Sequence, residues 1–160
     1  MKRVVVYYSY SGNTEYIANI IKEELNCDIL KIETTKPYST DYDTVVDLAK
    51  EEINSGYMPE IKPIDISQYD EIILGTPVWW YTYATPLNTF IKNNDFTGKT
   101  IVPFITNGGW LGHTLEDIKN NTNAKIVKPI DLKFDGSNLR DKNSFDKWLK
   151  ELDNEFKEER

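Results

Sequence analysis

The chain has 160 residues, with 19 Lys and Arg against 26 Asp and Glu, a formal charge of −7 with its one His neutral. At about 100 to 200 residues per domain there is room for a single substantial core. An isoelectric point near 4.8 excludes a nucleic-acid binder, because neutralising phosphates needs clustered Lys and Arg. Apolar residues at 39% and charged ones at 28% suit a folded globular protein rather than a disordered one. A single Cys and a single His leave no internal disulfide and no Cys/His zinc site. The expected compartment is the cytoplasm, without membrane insertion: no run approaches the ~18 to 20 apolar residues of a membrane helix, and Val4 to Tyr8 is too short for a secretory leader. The excess charge is localised, since residues 41–80 hold nine acids against Lys50 and Lys62, while acids and bases balance in every other quarter. Such a segment either is a solvated helix face or puts a field on one part of the surface.

Short apolar runs alternate with amphipathic stretches. Arg3 to Ser9 reads as a strand, and Ile17, Ile20, Ile21 and Leu25 then fall on one stripe of a helix over Thr14 to Leu25. Asp28 to Glu33 is a second strand. Ser39, Thr40 and Asp41 are capping types before Tyr42, Val45, Val46, Ala49 and Ile53, whose spacing predicts a helix ending near Gly56. After an irregular connection with Pro59 and Pro63, Glu71 to Gly75 is the third strand. Thr85 and Pro86, an N-cap and first-turn pair, open a helix faced by Leu87, Phe90 and Ile91; Thr100 to Thr106 is the fourth strand, although Pro103 cannot donate to a ladder. Leu111, Leu115 and Ile118 suggest a fourth helix. Ala124 to Val127 and Ile130 to Phe134 form an interrupted fifth strand, and Phe145, Trp148, Leu149, Leu152 and Phe156 a closing helix.

Five strand-helix units with short connections imply right-handed crossovers: a doubly wound α/β domain, one five-stranded parallel sheet with helices on both faces. Ligands of such sheets bind beyond the carboxyl ends of the strands, at the switch in strand order. Three loops fall at that rim. Ser9-Tyr10-Ser11-Gly12-Asn13-Thr14 offers hydroxyls, an amide and the free N–H groups of a helix start, which can hold a phosphate or simply cap the helix. Gly75-Thr76-Pro77-Val78-Trp79-Trp80-Tyr81-Thr82-Tyr83 concentrates four aromatics suited to a planar ligand with polar edges, or to a lid or dimer contact. Thr106-Asn107-Gly108-Gly109-Trp110-Leu111-Gly112 frees backbone groups to meet a ligand edge. The first loop lacks the Gly-Lys-Ser/Thr of a P-loop, the three spaced glycines of a dinucleotide fingerprint and a nucleophilic Cys, Cys27 lying at strand two. Ser9 and Gly75-Thr76 stand where a phospho-accepting receiver needs acids.

Through Ser9-x-Ser-Gly-Asn-Thr14, Gly-Thr-Pro77-Val-Trp-Trp80 and Thr106-Asn-Gly-Gly109, the chain resembles the flavodoxin family over nearly its whole length. The resemblance implies strand order 2-1-3-4-5 and FMN as cofactor. Ser9, Tyr10, Ser11, Gly12, Asn13 and Thr14 would surround the phosphate, and Pro77, Val78, Trp79, Trp80 and Tyr81 would lie against the ring. Thr106, Asn107, Gly108, Gly109, Trp110 and Gly112 would form its pyrimidine edge and surroundings; Trp79, Trp80 and Trp110 all remain candidates for stacking. His113, just beyond, reads as a solvent-facing helix residue. Many carriers of the family have a glycine in the strand-three loop whose peptide flips with redox state. Val78-Trp79-Trp80-Tyr81 has none, and a flip into positive φ at such residues is costly.

The reading implied is an FMN-binding electron-transfer protein whose flavin performs the chemistry, with redox partners of basic surface. The acidic segment, Asp65, Asp70 and Glu71 included, is expected to lower the flavin potential and steer those partners. The alternative is an oxidoreductase passing hydride from NAD(P)H to a quinone-like acceptor.

Overall fold

The structure, a computed structural model, describes residues 2–158, with side chains to 155; Phe156, counted above in the closing helix, has its side chain outside the described residues. β1 (Arg3–Tyr7) lies between β2 (Asp28–Lys31) and β3 (Glu71–Trp79), and β5 (Thr100–Asn107) continues the parallel sheet beyond β3. Beyond β5 come β6 (Lys125–Ile126) and β7 (Ile130–Asp135), both parallel to it. Two short antiparallel additions close hairpins, β4 (Thr82–Tyr83) on β3 and β8 (Asn138–Leu139) on β7. With β6 and β7 taken as one interrupted strand, the main order is the expected 2-1-3-4-5.

The interruption has a cause in Pro103. Val127 N–H donates to the Ile101 carbonyl at 3.0 Å, and a parallel ladder would next require residue 103 to donate to Val127. Proline has no N–H to give. The outer ladder breaks there, Lys128 turns to φ 46°, and pairing resumes at Phe104 and Ile130.

Alternation along β1 sends Val4 and Val6 to one face and Val5 and Tyr7 to the other. The first face is covered by α3 (Thr85–Asn93), through Leu87, Phe90 and Ile91, and by α4 (Thr114–Asn121), through Ile118. The second is covered by α1 (Asn13–Leu25), through Ile17, Ala18 and Ile21, and α5 (Lys142–Glu158), through Phe145, Trp148 and Leu149. Full burial of each such side chain stabilises by about 1.5–3 kcal/mol, so the predicted helical stripes account for both layers. α2 (Tyr42–Ser55) is capped by Asp41, whose carboxylate accepts from Thr44 N–H at 3.2 Å, and it stops at Gly56 with φ 68°. At the amino end of the strands, buried Arg3 and Glu71 form an ion pair at 3.0 Å. Among the described residues no helix is long and apolar enough to cross a membrane, and no group of three or more His, Cys, Asp or Glu could hold a metal ion.

Two expectations need correction. The third strand does not end at Gly75. It runs on to Trp79, because β5 pairs it as far as Pro77, registered against Thr106, and the short antiparallel β4 pairs Val78 and Trp79. The aromatic segment is therefore a strand end and a two-residue hairpin turn rather than an open loop. The helix α3 is preceded by Ala84 instead of a Thr85 side-chain cap, with Pro86 in its first turn.

Candidate functional site

The carboxyl ends of the strands enclose a cavity of about 500 Å³, within the usual range for small-molecule sites. Tyr10, Ser11 and Asn13 line it from the first loop, Pro77 to Tyr81 from the second, and Thr106, Asn107, Gly108 and Trp110 from the third. Ser9, Gly12, Thr14, Gly109 and Gly112 do not face it; they shape the loops that do.

In the first loop, Gly12 at φ 105° turns the chain into α1 and its N–H donates to Ser9 Oγ at 3.2 Å. No side chain caps α1, so its first-turn N–H groups carry the positive end of the helix dipole to the cavity. Asn13 Nδ2 donates to the Gly136 carbonyl at 2.9 Å, and the buried Thr14 hydroxyl meets that of Thr106 at 2.8 Å. Thr14 thus ties α1 to β5. Ser11 is exposed and lines the cavity.

The three tryptophans have different roles. Trp79, at the end of β3, is packed edge-on against Tyr8, Tyr10 and Tyr38, with centroids 5.5, 6.3 and 5.2 Å away. Trp80 leans on α2: its Nε1 donates to the Val46 carbonyl at 2.7 Å, and Lys50 Nζ lies 5.1 Å from its ring centroid. Trp110 is 65% exposed and sits 5.2 Å from the Tyr81 ring. Trp79 pairs with Thr82 across the hairpin, leaving Trp80 and Tyr81 as its turn at φ 48° and 70°. Two central residues at positive φ match the twist of a hairpin, but bulky aromatics there are strained. The positive φ expected to be costly is therefore already occupied.

That turn is braced by the third loop. His113 N–H donates to the Tyr81 carbonyl at 2.8 Å, and Thr82 Oγ1 donates to Asp117 Oδ2. Gly112, at φ 61°, packs so closely that a Cβ would lie 2.3 Å from Tyr81 O. His113 is exposed as expected, its Nδ1 2.5 Å from Asp117 Oδ2. The Asn107 amide ties the loop to β7, donating to Asp131 at 2.6 Å, and accepts from Gly109 N–H at 3.0 Å within the loop. Arg140 Nη2 donates to the Gly108 carbonyl at 3.1 Å.

Sequence reasoning missed the lining from α2 (Tyr42, Val45, Val46 and Ala49) and from Phe134 and Gly136. The spacing of the α2 residues predicts only a helix, and the tertiary fold alone turns that stripe toward the cavity. Asp135-Gly136, a turn signal at a strand's carboxyl end, could have marked the second group. Cys27 is half-buried far from the rim, and burial pushes its thiol up to about 11, which makes it unreactive. Asp70 and Glu71 also lie away from the rim. Strand β3 separates Glu71 from Trp79 by about 26 Å at ~3.3 Å per residue, so neither acid is placed to act on a ligand there.

The sequence profile of the flavodoxin family matches residues 2–152, and the chain belongs to that family. A flavoprotein from Lactobacillus acidophilus, solved in complex with FMN, is 25% identical with a TM-score of 0.71, covering 92% of this chain and 97% of its own. A Bacteroides uniformis protein assigned as a flavoprotein is also 25% identical, with a TM-score of 0.77 over 93% of this chain and 97% of that one. A Bacteroides eggerthii protein with the same assignment is 29% identical, with a TM-score of 0.68 over 81% and 90%. No curated protein sequence matches significantly.

Proposed function

We propose that this protein binds FMN in the rim cavity and works as an electron-transfer protein of flavodoxin type. The observation that carries the reading is one cavity with an uncapped helix start at one end, an aromatic wall at the other, and a backbone-rich edge between them. Those parts fit a phosphate, a flat ring and its polar edge. Ser11, Asn13 and the first-turn N–H groups of α1 would hold the phosphate by hydrogen bonds and helix dipole, with no Lys or Arg in the loop. Trp79, backed by three tyrosines, and Trp80, pinned to α2, would bound the ring, while Gly108 and Trp110 meet its far edge. When bound, the flavin supplies the redox chemistry. Exposed acids of α2, Asp43, Asp47 and Glu51, flank the cavity wall and would favour redox partners with basic surfaces.

The exposed ring of Tyr42, Tyr81 and Trp110 around the mouth favours a second reading, FMN-dependent hydride transfer from NAD(P)H to a quinone-like acceptor stacked there. Reconstitution with FMN, a stepwise reductive titration and an NAD(P)H oxidation assay decide. A carrier passes through a stable one-electron level and oxidises NAD(P)H poorly; a reductase consumes NAD(P)H steadily when a quinone is added. A protein that takes up no FMN overturns both readings.

A further inference from the structure

Behind the aromatic wall lies a buried carboxylate that does not line the rim cavity. Glu52, on the inner face of α2, is 7% exposed, and its Oε1 accepts the Tyr38 hydroxyl at 2.8 Å. Tyr38 stands edge-on to Trp79 at an interplanar angle of 88°. Of the tyrosines around Trp79, Tyr10 donates to the Ser39 carbonyl, which does not titrate, whereas Tyr38 donates to a group that does. Glu52 also lines a second cavity of about 770 Å³, on the far side of the wall, through which water and protons reach it. The titratable groups around it are Lys36 and Tyr38 from the loop before α2, Glu51 on α2, Tyr57 and Glu60 after α2, and Tyr8 at the end of β1. From α3 it faces the neutral Thr85.

We propose that Glu52 is a positioning residue for the flavin pocket, acting through Tyr38 on Trp79, so that its protonation state sets how firmly the aromatic wall is held. The inference rests on the FMN reading above. An ionised carboxylate makes a charge-assisted bond to a phenol, roughly twice as strong as a neutral one. Protonation weakens that bond, and Tyr38 no longer fixes the Trp79 ring. Burial raises the Glu52 pKa above the ordinary carboxylate range, which moves the change toward neutral pH.

The test is FMN affinity measured by calorimetry across about pH 5 to 8, where the FMN phosphate also titrates, near 6. The wild-type Kd is expected to weaken about three- to tenfold more on acidification than the phosphate alone explains. Glu52→Gln and Tyr38→Phe should both lose that extra step and keep the phosphate's. In the flavin-free protein labelled with 5-fluorotryptophan, the Trp79 fluorine resonance, assigned by its loss in Trp79→Phe, should titrate in wild type and not in Glu52→Gln. A wild-type affinity profile in Glu52→Gln, or a Trp79 resonance indifferent to pH, overturns the proposal. Absence of FMN binding at every pH would overturn the flavin reading instead, and the fluorine titration would still decide the coupling.

Discussion

Backbone conformation at three residues controls the mouth of the cavity. Trp80 and Tyr81 hold positive φ without being glycine, and Gly112 holds it where any side chain would strike Tyr81. Left-handed geometry costs an L-residue roughly 1–2 kcal/mol, so Tyr81→Gly is expected to raise the stability of the flavin-free protein by about 1 kcal/mol, in thermal or denaturant unfolding, while weakening FMN binding. Such strain at a functional rim persists only because its surroundings over-determine it. Here they are the Trp80 indole on Val46, the His113 N–H on Tyr81 and the Thr82 hydroxyl on Asp117. Gly112→Ala should destabilise by about 1–3 kcal/mol through overpacking and weaken FMN binding with it. Gly109→Ala, at a site with nothing within 4 Å of its Cβ, should leave unfolding unchanged; an equal loss in both variants would show that the Tyr81 contact is unimportant.

At the level of elements, two glutamates on different helices, α1 and α2, answer pH with opposite signs. On α1, Glu15 is held below the usual carboxylate range by the Tyr7 hydroxyl, 2.7 Å away, and by Lys31, 3.1 Å away. A depressed carboxylate contributes stability that is present above its unfolded pKa and lost as pH falls through the folded one. The stability gap between wild type and Glu15→Gln should therefore close on acidification, read as melting temperature against pH. Glu52 on α2 is raised by burial, so its contribution is present below its unfolded pKa and lost as pH rises. A helix that lines a ligand cavity thus keeps a carboxylate that its own stability at neutral pH would do without. The same element explains why the cavity lining was only partly legible: Val45 and Ala49 have the spacing of any buried helical stripe, and nothing in that period says whether the stripe meets a core or a cleft.

For the molecule as a whole, the charge of −7 acquires a geometry. The acids of residues 41–80 fall on α2 and its cap, beside the cavity, on the connection after it, as Glu60 and Asp65, and at the amino end of β3, at the opposite end of the strands. Glu71 is buried with Arg3, and Asp70 accepts the Lys2 backbone N–H at 2.8 Å. Reversing Asp43, Asp47 and Glu51 to Lys should slow reduction of a basic redox partner and flatten its salt dependence, whereas reversing Asp65 and Asp70 should change neither. Stopped-flow rates across ionic strength measure both, and equal effects would sink the steering role. The alternation of apolar runs and helical stripes determined by itself the doubly wound fold and the strand ends at which a ligand must sit, because both follow from local periodicity and the handedness of short crossovers. Family membership was likewise legible in the Ser-x-Ser-Gly-Asn-Thr loop and the Trp-Trp strand end. Only the tertiary structure decided that β3 continues to Trp79, that Trp80 lies on α2 and Trp79 on three tyrosines, and that Asp70 and Glu71 face away from the rim. Those outcomes depend on which distant segments pack together, and residue spacing along one chain does not contain that information.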